Sequence, residues 1–186
     1  MAILMMIIGA AIFIGIHLVP AKSGLRDHLV RRLSENGYKM LFTAISVAGL
    51  GLLIYGKAKA GHTYLWLTPG WGRSIAPVIM LPSMILLAAA KLPTNIKRFT
   101  PHPMLWGFIL WSVAHLLANG DLASIILFGS IGAYSVIAIV SANQRGASTS
   151  TVVVPVAREA IVIGVGIIVY ITFVLLHGRL FGAPLI

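Results

Sequence analysis

Six stretches of this chain stay apolar for about the length a bilayer core demands, and that pattern limits the fold more than any other feature of the sequence. A membrane-crossing helix needs roughly 20 mainly apolar residues. Residues 2–19, 41–56, 75–92, 104–118, 122–141 and 160–176 approach that requirement. The runs are continuous rather than alternating, which excludes the dyad pattern of an outer-membrane barrel. The expected fold is therefore all-α, a polytopic membrane helix bundle of about six transmembrane helices, forming one transmembrane domain over residues 1–186. Composition agrees. Of 186 residues, 59% are hydrophobic and only 10% are charged, against about 25% charged in soluble domains. Too little polar surface remains to coat a soluble globule.

The first stretch is read as a retained helix and not as a secretory signal. Its first Lys or Arg is Lys22, so it lacks a basic leading region. The fourth and fifth stretches are separated only by Asn119, Gly120 and Asp121. These are turn-forming types, and Asp121 is placed to cap the helix that follows. Glycines at 9, 49, 129, 132, 164 and 166 are expected to let helices approach closely. Pro77 and Pro82 are expected to kink or start the third helix.

The formal net charge of +10 is unevenly placed. Connections one, three and five carry ten of the fourteen Lys and Arg residues: Lys22, Arg26, Arg31, Arg32, Lys39, Lys91, Lys97, Arg98, Arg145 and Arg158. The other side has Lys57, Lys59, Arg73 and Arg179. The bias predicts those three connections in the cytoplasm and both termini on the opposite side of the membrane. The positive charge is thereby accounted for by topology and by anionic lipid, and no nucleic acid partner is implied. The lipid bilayer is the partner the composition does imply.

With no cysteine and four acids, thiolate chemistry, iron–sulfur clusters and carboxylate pairs for acid–base work are excluded or improbable. Asp27 and Glu35 are expected in a solvated or interfacial role, and Glu159 in an ion pair with adjacent Arg158. The six histidines carry the chemical information. His115 lies in an apolar helix with no charged residue between Arg98 and Asp121, and an ionisable group at that depth is a functional candidate by default. Its structural alternative is a neutral ring donating to a backbone carbonyl or to Ser112. His17, near the end of the first helix, shares a face with Ala10 and Phe13. His102 opens the fourth helix between two prolines. His28, His62 and His177 are expected at the surface. Neutral imidazole is a standard haem ligand, and apolar helices form a slot for a flat macrocycle. Phe13, Trp106, Phe108 and Trp111 are aromatic groups available to line it. Covalent haem attachment is excluded, because no Cys-x-x-Cys-His is present.

The segment from His102 to Asp121, HPMLWGFILWSVAHLLANGD, resembles the signature of the NnrU family of bacterial membrane proteins. So do GIHLVPA from Gly15 and YKMLFTAIS from Tyr38. The resemblance covers roughly residues 1–140 and is weaker beyond Ser141. It implies a role in denitrification, in nitrite and nitric oxide reduction, with nitrogen-oxide reductase components as partners. The family is also similar to the plant ζ-carotene isomerase, a membrane haem b enzyme, which implies haem b (iron protoporphyrin IX) as cofactor and His17 and His115 as the iron ligands by motif. That plant branch is thought to use a cysteine near the second histidine. Here Ser112 stands in that neighbourhood, so a thiolate ligand is excluded and isomerisation of a small apolar substrate, a lipid-soluble polyene, follows less directly. The charge-derived topology places His17 and His115 toward opposite faces of the membrane, with a vertical offset of about 15 Å at 1.5 Å per residue. The pair His17 and His102 is the alternative on that ground. A haem-free membrane assembly protein, in which the histidines only pack, is the third reading.

Overall fold

The computed structural model describes residues 1–21 and 23–183. Its helices are α1 (Ala2–Leu18), α2 (Ser23–Lys59), α3 (Gly72–Lys91), α4 (Pro103–Ala118), α5 (Leu122–Gln144) and α6 (Val156–Phe181). Single 3₁₀ turns follow α1 at Val19–Ala21 and precede α4 at Asn95–Arg98. Among the described residues there is no strand, only an isolated bridge between Tyr64 and Asp121. Among the described residues, five helices are long and apolar enough to cross a membrane. The exception is α4, whose 16 residues give about 24 Å of rise against a core of roughly 30 Å. The chain is a multi-pass membrane protein.

Three local features depart from uniform helix. α2 is broken at Ser34, which has φ 65° and ψ 168°, a region that costs a side-chain-bearing residue energy. The Ser34 hydroxyl accepts the Gly37 N–H at 3.3 Å and so caps the membrane-crossing part that follows. α3 continues through both Pro77 and Pro82. α5 contains a π-helical turn at Ile125–Gly129.

The helices fall into two compact units. The first comprises Met1–Leu67 and Gly120–Tyr134; the second comprises Thr68–Asn119 and the chain from Ser135 onward. In the first unit α1 packs antiparallel against α2 on small residues. A Cβ on Gly9 would lie 2.7 Å from the Gly49 carbonyl oxygen, and one on Gly49 would lie 2.8 Å from the Phe13 nitrogen. Met6 and Leu53 are fully buried beside this contact. Lys57 closes the unit's far end. Its Nζ donates to Asp121 Oδ1 at 2.8 Å and to the Ser124 hydroxyl at 2.7 Å. Asp121 also caps α5, accepting Ser124 N–H at 2.9 Å as the turn chemistry predicts.

In the second unit α3 packs against α4 and α6. The buried Ser83 hydroxyl donates to the Gly107 carbonyl at 2.8 Å, a cross-helix bond of the kind that joins membrane helices. A Cβ on Gly166 of α6 would lie 2.7 Å from Ile85 Cα. Of the glycines expected at contacts, Gly9, Gly49 and Gly166 are there. Gly129 has only ordinary contact with its own helix, and Gly164 has nothing within 4 Å. Gly164 and Gly166 are about 200° apart around α6, so one meets α3 while the other turns away.

The expected Glu159–Arg158 pair does not form among the described residues. Neighbours one residue apart on a helix point to different faces, and Glu159 turns to the α3–α4 connection instead. It accepts the Thr94 hydroxyl and the Asn95 N–H, both at 2.7 Å. The Asn95 side chain then pairs with Val154 through both its oxygen and its nitrogen. Along the membrane-crossing helices much of the exposed surface is apolar. Val78 and Ile168, for example, are 63% and 65% exposed, which is the outward face a bilayer solvates.

Candidate functional site

His17 and His115 are built alike. Each sits in an apolar helix four residues after an aromatic or indole residue, where the preceding turn presents a carbonyl. His17 Nδ1 donates to the Phe13 carbonyl at 2.7 Å, and His115 Nδ1 donates to the Trp111 carbonyl at 2.8 Å. A carbonyl can only accept, so in the neutral ring the proton is on Nδ1 and the lone pair on Nε2. A backbone bond of this type fixes ring orientation and raises ligand basicity in histidines that bind metals. His115 therefore takes the backbone carbonyl and not Ser112 as its acceptor.

Their surroundings differ. In the first unit the His17 ring is enclosed by aromatic rings, with centroids 4.2 Å from Phe13, 5.0 Å from Phe42 and 5.6 Å from Tyr134. The Tyr134 hydroxyl donates to the His17 carbonyl at 3.4 Å. In the second unit the His115 ring lies 4.9 Å from Trp111, which stands edge-on to Phe108 at 6.3 Å. Ser112, 3% exposed, has a hydroxyl that finds no hydrogen-bond partner among the described residues. An unsatisfied buried hydroxyl one turn before a histidine fits a site that receives a polar group from a ligand. Trp106 is 44% exposed and faces away from the packed interior.

A third imidazole, His177, stands beside His115. Expected at the surface, it is half-buried in the last turns of α6, with its ring centroid 6.4 Å from that of His115. Its Nδ1 donates to the Ala183 carbonyl at 2.6 Å, giving the same tautomer. Sixty-two positions separate the two residues, and nothing in the sequence signals that they meet. His102 is differently occupied. It stands at the N-cap of α4, and its Nε2 donates to Asn143 Oδ1 at 2.8 Å. His28 and His62 are exposed, as expected. Among the described residues no three His, Asp or Glu side chains gather into a metal-binding group. A site here would rest on imidazoles alone.

The model of the NnrU protein family matches residues 5–185. The match reaches through the tail beyond Ser141, where the motifs are weaker. No curated protein and no solved structure matches the chain.

Proposed function

This chain belongs to the NnrU family, and from that premise we propose that it binds haem b through His17 and His115 and serves nitrogen-oxide metabolism, in the reduction of nitrite and nitric oxide. The observation that carries the reading is the shared hydrogen bond: both histidines give Nδ1–H to the carbonyl one turn back, which leaves Nε2 as the ligating nitrogen. His102 is less suited, because its Nε2 is the donor to Asn143. The apolar flanks of His115 disfavour water, and low polarity around an imidazole-ligated iron tunes its potential. Haem would supply electron transfer or gas binding. The protein's part is to hold two neutral rings and keep their proton on the far nitrogen. The orientation that goes with this reading has the charge-rich connections in the cytoplasm of the inner membrane and both termini in the periplasm.

The test is the absorption spectrum of the purified protein in detergent. A Soret band with a haem b pyridine adduct is expected. His115→Ala should strip most of the haem, while His17→Ala, at a helix end that water reaches, should leave a high-spin residue. His177→Ala with haem retained identifies His115 as the ligand and not its neighbour. Purified folded protein without a Soret band, even after haem is added, overturns the reading. Loss of low-spin character in His102→Ala, with His115→Ala unaffected, moves the site to the alternative pair.

A further inference from the structure

The first unit holds a pocket that no histidine lines and that the haem reading does not use. It has a volume of roughly 280 Å³ and is bounded by Arg26, Glu35, Tyr38, Lys39, Phe42 and Thr43, with Pro20 at its edge. Its position follows from the sequence: α1 ends just before Pro20, and the apolar run of α2 begins just after Lys39. The pocket therefore opens where two membrane helices leave the hydrocarbon region.

The break at Ser34 creates it. In an unbroken helix Arg26 and Glu35, nine residues apart, would be separated by about 13.5 Å along the axis. With the chain turned at Ser34, the Arg26 guanidinium reaches both Glu35 carboxylate oxygens, at 3.0 and 3.1 Å, and stands 5.6 Å from the Tyr38 ring centroid. Lys39 Nζ lies 3.4 Å from the same Glu35 oxygen. Two cations thus converge on Glu35, and Arg26 also stands 3.7 Å from the exposed Asp27 carboxylate; in this half-exposed setting an ion pair is weak and exchangeable. Tyr38 is 6% exposed, and its hydroxyl has no hydrogen-bond partner among the described residues.

We propose that this pocket binds the phosphate of a phospholipid headgroup, with Arg26 and Lys39 as its cationic ligands and the Tyr38 hydroxyl as a further donor. Arginine meets phosphate oxygens in a planar fork. The Glu35 carboxylate holds the two cations at the separation an anion needs and yields its place when phosphate arrives. Phe42 and Pro20 offer apolar surface to the glycerol end of the lipid, whose acyl chains continue along the membrane-crossing helices.

The experiment is native mass spectrometry of the full chain in detergent with added phosphatidylglycerol. Wild-type protein should retain one lipid. The double variant Arg26→Gln/Lys39→Gln should lower retention about tenfold or more, since it removes both charge-assisted contacts. Glu35→Gln, which frees Lys39 and leaves Arg26 only its longer contact with Asp27, should raise retention several-fold; this opposite sign keeps the test valid if the double variant folds poorly. Lys59→Gln, a cation beside Tyr55 at the other end of α2, should change nothing. Retention unchanged in both the double variant and Glu35→Gln overturns the proposal. So does loss of lipid in Glu35→Gln, which would assign the pocket to a headgroup amine. Glycerol 3-phosphate or inorganic phosphate that displaces the lipid at equal concentration would make the ligand a soluble phosphate instead, and would overturn the lipid assignment.

Discussion

The two units each anchor one carboxylate, buried Asp121 in the first and half-buried Glu159 in the second, and hold it by different means. In the first, Asp121 is tied to a cation: Lys57 reaches it from the end of α2, and Ser124 completes its shell with both backbone and hydroxyl donors. In the second, Glu159 is held by neutral donors alone, the Thr94 hydroxyl and the Asn95 N–H. The first arrangement binds two charges that neither partner can leave unmatched at low cost. The second spreads one charge over hydrogen bonds that also order the α3–α4 connection. A paired anchor is strong but brittle, whereas a hydrogen-bonded one gives way in smaller steps.

The largest effect that comparison predicts is at Asp121. Asp121→Ala leaves the Lys57 ammonium partly buried without its partner and should destabilise the protein by roughly 3–5 kcal/mol, read as a lowered melting temperature in detergent. Adding Lys57→Met to that variant should recover most of the loss. If it does not, Asp121 acts through its cap on α5 and not through the pair.

Next come the close helix contacts, one in each unit. Gly49→Ala and Gly166→Ala each push a methyl into backbone or an α-carbon of the neighbouring helix and should cost roughly 1–3 kcal/mol. Gly164→Ala, on the open side of α6, should be neutral or slightly stabilising. Equal melting temperatures for the variants at 164 and 166 would show that α6 does not pack on α3 as described.

Glu159→Gln should cost about 1 kcal/mol, because one of the two acceptors is replaced by a donor facing Thr94 or Asn95. A loss as large as that at Asp121 would remove the contrast between the anchors.

Acid sharpens the contrast further. Burial pushes the Asp121 carboxyl up, but hydrogen bonds from Lys57 and Ser124 and the Lys57 charge outweigh it and hold the group at about 2. An unfolded aspartate titrates near 3.9. The depressed value means that ionised Asp121 stabilises the fold fully above about pH 4, and that this contribution is lost as pH falls toward and through about 2. Thermal stability of the wild type should decline across that window, and Asp121→Asn should lose the part of the slope that Asp121 supplies. Superimposable pH profiles would show that the carboxylate is not held in its charged form.

The helices were legible because membrane insertion writes them as uninterrupted apolar runs, and the turn at Asn119–Asp121 was legible because its residues have few other uses. The partners of charged groups were hidden. Lys57 and Asp121 are 64 positions apart, and no local pattern marks either as half of a pair. Glu159 was assigned to adjacent Arg158 by proximity along the chain, which the angular step of a helix defeats. At the candidate site, the local bond from each histidine to the carbonyl four residues earlier follows from helix geometry, so the nearest acceptor of His115 was foreseeable. The approach of His177 to His115 was not, since it depends on how α6 returns to the rest of its unit. The break at Ser34 lay in a stretch read only as a basic connection, although Ser-Glu-Asn-Gly is a sequence that caps one helix and starts another.

The π turn at Ile125–Gly129 makes α5 one residue longer than its own helical register. Each residue advances an α-helix by about 100°, so the surplus residue turns every side chain after Gly129 by that angle relative to a helical wheel drawn from Leu122. A wheel carried straight through α5 assigns its two halves to inconsistent faces. Deleting a single residue within 125–129 would convert the turn to ordinary helix while leaving both halves in their present orientation. Deleting one residue elsewhere in α5 would rotate one half against the other. The segment is therefore the one place in this helix where a length change is silent.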